Sequence, residues 1–97
     1  MKKLDYKLTD YKVHVSFGGN SATLSRRPDE DGQCKVSFSI PVNKSHADLI
    51  NSSGIAQVSR IDEEKKTIYF VRESFYETHL MSEIIADILM KYENENA

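Results

Sequence analysis

A chain of 97 residues is expected to form one domain over 1–97. At that size only about 60–65% of the unfolded surface is buried, which leaves little room for a deep substrate cavity. Its 39% hydrophobic and 29% charged content excludes a disordered composition, and a net charge of -2 excludes a uniformly basic nucleic-acid binder.

The opening, Met1 to Lys7, is basic but has no apolar run behind it, and no stretch reaches the ~20 apolar residues of a membrane span. The expected location is cytoplasmic, with no membrane partner. Leu4, Tyr6 and Leu8 alternate out of phase with the residues after Asp10. Their placement stays open at this level, with a bulge at Thr9-Asp10 as one way to reconcile the phases.

From Tyr11 to Phe17, Tyr11, Val13, Val15 and Phe17 alternate with Lys12, His14 and Ser16, which predicts a half-buried strand. Gly18-Gly19-Asn20 supplies hairpin chemistry, and Ser21–Arg26 reads as the returning strand, with Ala22 and Leu24 on one face. After the turn Arg27-Pro28-Asp29-Glu30-Asp31-Gly32, Cys34, Val36, Phe38 and Ile40 define a third strand that stops at Pro41.

A short helix is predicted over Ser45–Ser52, with Ser45 and Asp48 as a capping pair and Gly54 as the stop. Ile55–Ile61 and Thr67–Arg72 then pair around Asp62-Glu63-Glu64-Lys65-Lys66, Val58 facing Val71 and Ile61 facing Ile68. Apolar residues fall on both faces of this hairpin, so its second face is expected to need cover. Finally, Ser74 and Glu77 form a capping box ahead of a stripe made by Leu80, Met81, Ile84, Ile85, Ile88, Leu89 and Tyr92. The tail from Glu93 to Ala97 is expected to fray.

These elements predict an α+β fold: a mostly antiparallel sheet of about five strands in chain order, meander plus hairpin. The C-terminal helix covers one face, and the short helix lies between the third and fourth strands.

Chemistry signals are sparse. The single Cys34 rules out an internal disulfide, and on the apolar phase of its strand it reads as a packed, inert thiol. His14, His46 and His79 are scattered and lack metal-ligand spacing. There is no nucleophile elbow, and Gly18-Gly19-Asn20 lacks the lysine and helix start of a phosphate loop. No catalytic residue, metal or cofactor is expected, and the chain reads as a non-enzyme.

Charge gives the sharper expectation. The connection from Pro41 to Gly54 looks too compact for a parallel crossover, so the fourth strand is expected to run antiparallel to the third, bringing both acidic turns to one end. Asp29, Glu30, Asp31, Asp62, Glu63 and Glu64 would then share one rim, with Glu77, Glu83 and Asp87 on the last helix. Such a field imitates a phosphate backbone and suits an inhibitor that occupies the basic nucleic-acid-binding surface of another protein. In size and solitary architecture the chain resembles, in style, small phage and mobile-element proteins such as anti-CRISPR inhibitors.

The alternative expectation is direct nucleic-acid binding through Lys12, His14, Arg26, Arg27 and Lys35. A third is a homodimer joined through the spare apolar face of the second hairpin.

Overall fold

The computed structural model describes residues 2–72 and 78–96. The α+β expectation holds, with six strands: β1 (Leu4–Leu8), β2 (Lys12–Phe17), β3 (Asn20–Ser25), β4 (Cys34–Phe38), β5 (Ala56–Asp62) and β6 (Thr67–Arg72). Helix α1 (Lys44–Ser52) lies between β4 and β5, and α2 (Thr78–Glu95) closes the chain. The additional strand is β1, whose Leu4, Tyr6 and Leu8 pair with Phe17, Val15 and Val13. No bulge is needed to reconcile their phase. A tight turn does it, in which the Thr9 N–H donates to Lys12 O and the Lys12 N–H donates to Thr9 Oγ1.

The sheet is antiparallel throughout, in the order β1-β2-β3-β4-β6-β5. Chain order therefore fails at one place, because β6 rather than β5 lies beside β4. Burial explains the exchange. Ile68 and Phe70 of β6 are fully buried and β6 is apolar on both phases, which suits a central strand. β5 carries Gln57, Ser59 and Arg60 and a register shift between Val58 and Arg60, which suits an edge. That shift also sets Val58 opposite Phe70 rather than Val71, while Ile61 does face Ile68.

Since β4 and β5 both run antiparallel to β6, they point the same way, and the expected reversal between them does not occur. The connection is long enough because α1, with 9 residues, retraces about 13 Å, close to the length of β4.

Both helices lie on one face, α2 over β2 and β3 and α1 over β5. Under them Val13, Val15, Ala22, Leu24, Cys34, Val36, Phe38, Ile68 and Phe70 meet Ile50, Met81, Ile85, Ile88 and Leu89 in one apolar core. Cys34 is buried there, 1% exposed, as its phase predicts. Of the predicted α2 stripe, Met81, Ile85, Ile88 and Leu89 are buried, while Leu80, Ile84 and Tyr92 are half-buried.

The caps differ from expectation. Asn43, not Ser45, caps α1: its Oδ1 accepts from the Ser45 N–H at 2.9 Å, and its own N–H donates to His46 Nδ1 at 3.1 Å. The Ser74–Glu77 box lies outside the described residues. The expected fraying from Glu93 gives way to helix through Glu95, because Glu93 pairs with Lys2 and accepts from Asn20 Nδ2 at 2.8 Å.

Neighbouring positions in β6 separate core from surface. Phe70→Ala should cost ~3–5 kcal/mol, whereas Val71→Ala, at a site 46% exposed on the opposite face, should stay within about 0.5 kcal/mol. Denaturant unfolding of both variants checks this.

Candidate binding surfaces

The exchange of β5 and β6 separates the acidic turns. Asp29-Glu30-Asp31 precedes Cys34, which pairs with Phe70. Asp62-Glu63-Glu64 precedes Thr67, which pairs with Ser37 at the other end of the same ladder. The expected shared rim does not form. About 16 Å of strand separates the two turns, and each spends a carboxylate on its own loop. Asp29 Oδ1 accepts from the Asp31 and Gln33 N–H groups at 2.8 and 3.0 Å, and Asp62 Oδ1 from the Lys65 N–H at 3.1 Å. Glu30, Asp31, Glu63 and Glu64 are exposed. On α2, Glu83 and Asp87 are exposed one turn apart, and Glu77 lies outside the described residues.

The sheet face opposite the helices is mostly polar, with Thr67 buried and Tyr69 half-buried within it and Lys12, His14 and Lys35 exposed. Register builds two rows on it. One runs Lys7, His14, Thr23, Ser37, Thr67, Asp62. His14 Nδ1 and Thr23 Oγ1 are 3.1 Å apart in it, as are the Ser37 and Thr67 hydroxyls. The other joins Lys12 to Ser25 across β2–β3 and Lys35 to Tyr69 and Arg60 across β4–β6–β5, with Ser25 falling opposite Lys35 when the Leu24–Val36 register is carried one residue further. Here the Arg60 guanidinium lies 3.8 Å from the centre of the Tyr69 ring. The spare apolar phase of the second hairpin is thus partly covered within the chain, by Arg60 on Tyr69, while Val71 stays open.

The five basic residues singled out in the sequence therefore divide. Lys12, His14 and Lys35 share the open face. Arg26 lines a cleft on the helix side, and Arg27 lies 4.7 Å from the centre of the Tyr11 ring, where β2 begins and β3 ends. Lys7, Arg60 and Tyr69, which sequence reasoning missed, complete the open face. For Arg60 and Tyr69 the missing information was the swap of β5 and β6, and for Lys7 the existence of β1.

Two clefts flank α2. One, of about 450 Å³ between α1 and α2, is lined by His46, Leu49, Ile88, Lys91, Tyr92 and Glu95. Burial first, then the Lys91 ammonium, push the His46 imidazole below its ordinary value, with Glu95 opposing. The second, of about 540 Å³, separates β1 from the start of α2 and holds Tyr6, Leu8, Val13, Ser82 and Glu83. Desolvation, then Glu83 and Asp87, raise the Tyr6 phenol. The same cleft also carries His79, and the Ser82 hydroxyl in it donates to Thr78 O at 2.8 Å.

Among the described residues no three His, Cys, Asp or Glu side chains stand close enough to hold a metal ion, and no helix is long and apolar enough to cross a membrane. No protein-family model, curated protein or solved structure matches this chain.

His46 supplies a pH test of the α1 cap. Its Nδ1 accepts the Asn43 N–H only when unprotonated, so the folded state favours neutral imidazole. The unfolded chain binds the proton more readily, and this contribution, complete above the ordinary histidine value of 6.5, is lost as pH falls through the lower folded value. His46→Gln keeps an acceptor at this position without titrating. Thermal melts from neutral to mildly acidic pH should show a smaller loss for H46Q than for the wild type.

Proposed function

We propose that this chain is a non-enzymatic binding module whose working surface is the open sheet face, and that its ligand is single-stranded nucleic acid. The row Lys12, Ser25, Lys35, Tyr69, Arg60 carries the reading. It crosses the sheet over about 19 Å at ~4.8 Å per strand and combines cations for phosphates with a stacked guanidinium and ring for bases. Every base has a π-face, so such a platform tolerates sequence variation. The hydroxyls of Thr23 and Ser37 and the His14 imidazole lie in the adjacent row, within reach of sugar and base edges. Lys7, Lys12, Lys35 and Arg60 outweigh Asp5 and Asp62 on this face, so the local charge is positive although the chain's total is negative.

The partner-protein reading, an inhibitor imitating nucleic-acid charge as phage and mobile-element inhibitors do, keeps one supporting observation. Glu83 and Asp87 form an exposed acidic step beside Tyr6 on the helix side. It lacks the joined rim on which it was based, so the open face carries the stronger case. The chain acts in either reading by occupancy, without a cofactor, and a cytoplasmic setting fits both.

The test is fluorescence anisotropy of a labelled oligothymidylate across a salt series. Binding should weaken as salt rises, and K12Q/K35Q should weaken it further and make the log–log slope shallower by about 1.4, at ~0.7 per single-strand phosphate contact. Absence of binding at low salt, or binding that K12Q/K35Q leaves unchanged, overturns the reading. Capture of a basic protein that depends on Glu83 and Asp87 would favour the inhibitor.

A further inference from the structure

The two edges of the sheet are treated differently. β5 is interrupted by its register shift at Ser59 and has α1 packed against it. β1 pairs with β2 at all five of its residues without interruption, and among the described residues its outer side meets no other strand. An unbroken edge strand is a template for another strand.

The direction of its free backbone groups follows from the turn. The Thr9 N–H donates to Lys12 O, so Thr9 and Lys12 form a hydrogen-bonded pair. Antiparallel pairs alternate, so Lys7 and Asp5 also bond inward to β2, while Leu4, Tyr6 and Leu8 aim their N–H and C=O groups outward. The bond from the Arg26 N–H to Tyr11 O sets the same phase independently from the β3 side.

The sequence of β1, Leu4-Asp5-Tyr6-Lys7-Leu8, is self-complementary about its centre. Laid antiparallel on a second copy with Tyr6 opposite Tyr6, it places Leu4 opposite Leu8 and Asp5 opposite Lys7, on both sides of a two-fold axis. The three outward-facing residues then fall opposite one another, so each pair can exchange both hydrogen bonds. Shifting the register by two residues one way sets Asp5 against Asp5, and the other way sets Lys7 against Lys7. Only the centred register satisfies the backbone and pairs opposite charges together.

The side chains agree. Tyr6 and Leu8 are 49% and 64% exposed on the helix side, and in this arrangement Leu4, Tyr6 and Leu8 of both copies would form one apolar strip between the two α2 helices. We infer that the chain forms a two-fold homodimer through antiparallel β1–β1 pairing centred on Tyr6, joining two six-stranded sheets into one. This interface differs from the hairpin face considered from the sequence, and it does not rest on nucleic-acid binding.

Charge variants test the register. D5K makes both facing pairs like-charged and positive, and K7D makes both negative. Each should weaken self-association roughly tenfold or more in sedimentation velocity, with circular dichroism showing that the fold is kept. The swap D5K/K7D restores opposite charges and should recover the dimer. Mixing D5K with K7D should produce a heterodimer, since each basic strand then faces an acidic one. A monomeric wild type at all concentrations, a dimer indifferent to D5K, or a mixture that fails to associate overturns the inference.

Discussion

The structure depends on the burial demand of β6. Ile68 and Phe70 are fully buried, and Tyr69 and Val71 are apolar on the other phase, so this strand is satisfied only between two neighbours. Placing it beside β4 pushes β5 to the edge and makes α1 a crossover. Strand directions then set where each turn falls. The same choice that completes the core moves the two acidic turns to opposite ends and brings Lys35, Tyr69 and Arg60 into one row. Core packing, a matter of several kcal/mol per large side chain, thereby decides the electrostatic layout, whose individual surface pairs are worth about 1 kcal/mol or less.

One-sided coverage follows from the same economy. Two helices of 9 and 18 residues pack on a single face of the sheet and leave Tyr6 and Leu8 of β1 exposed there, and the alternation in β2, β3 and β4 sorts apolar residues to that face and polar ones to the other. The long helix is held at its far end by Glu93, which pairs with Lys2 and Asn20 and so ties the start of the chain and the β2–β3 turn to α2. That turn closes on Gly18, whose φ of 63° suits the first central position of a two-residue hairpin turn.

Local patterns made most of the elements legible. Alternation located β2, β3 and β4, and the paired apolar positions located α2, because side-chain periodicity records which face meets the core. Partner choice was not legible, because pairing β4 with β6 rather than β5 is decided by comparing two strands for burial, not by reading either alone. The apolar residues on both phases of β6, against Gln57, Ser59 and Arg60 in β5, carried that information. The α1 cap was missed because Asn43 with His46 satisfies the same geometry as the Ser/Glu box by means of an imidazole nitrogen. Of the site residues, Lys12, His14 and Lys35 came from alternation within single strands. Arg60 and Tyr69 required the strand order, and the separation of the acidic turns required the direction of β5.

The two surfaces use alternate residues of one strand, which links them physically. Leu4, Tyr6 and Leu8 send their backbone groups to the edge and their side chains to the helix side, while Asp5 and Lys7 stand on the open face beside Ser16 and His14. In the proposed centred pairing Asp5 would sit opposite Lys7 of the second copy, so these two charges offset each other at the seam and the cations left on each open face are those of the row from Lys12 to Arg60. The open faces of the two copies then run together across twelve strands, with the row from Lys12 to Arg60 repeated by the two-fold on either side. A ligand held by both copies gains effective concentration without any new contact within either copy. The proposed strand pairing at β1 would therefore set two copies of the proposed binding row on one continuous face, although each proposal rests on a different set of atoms.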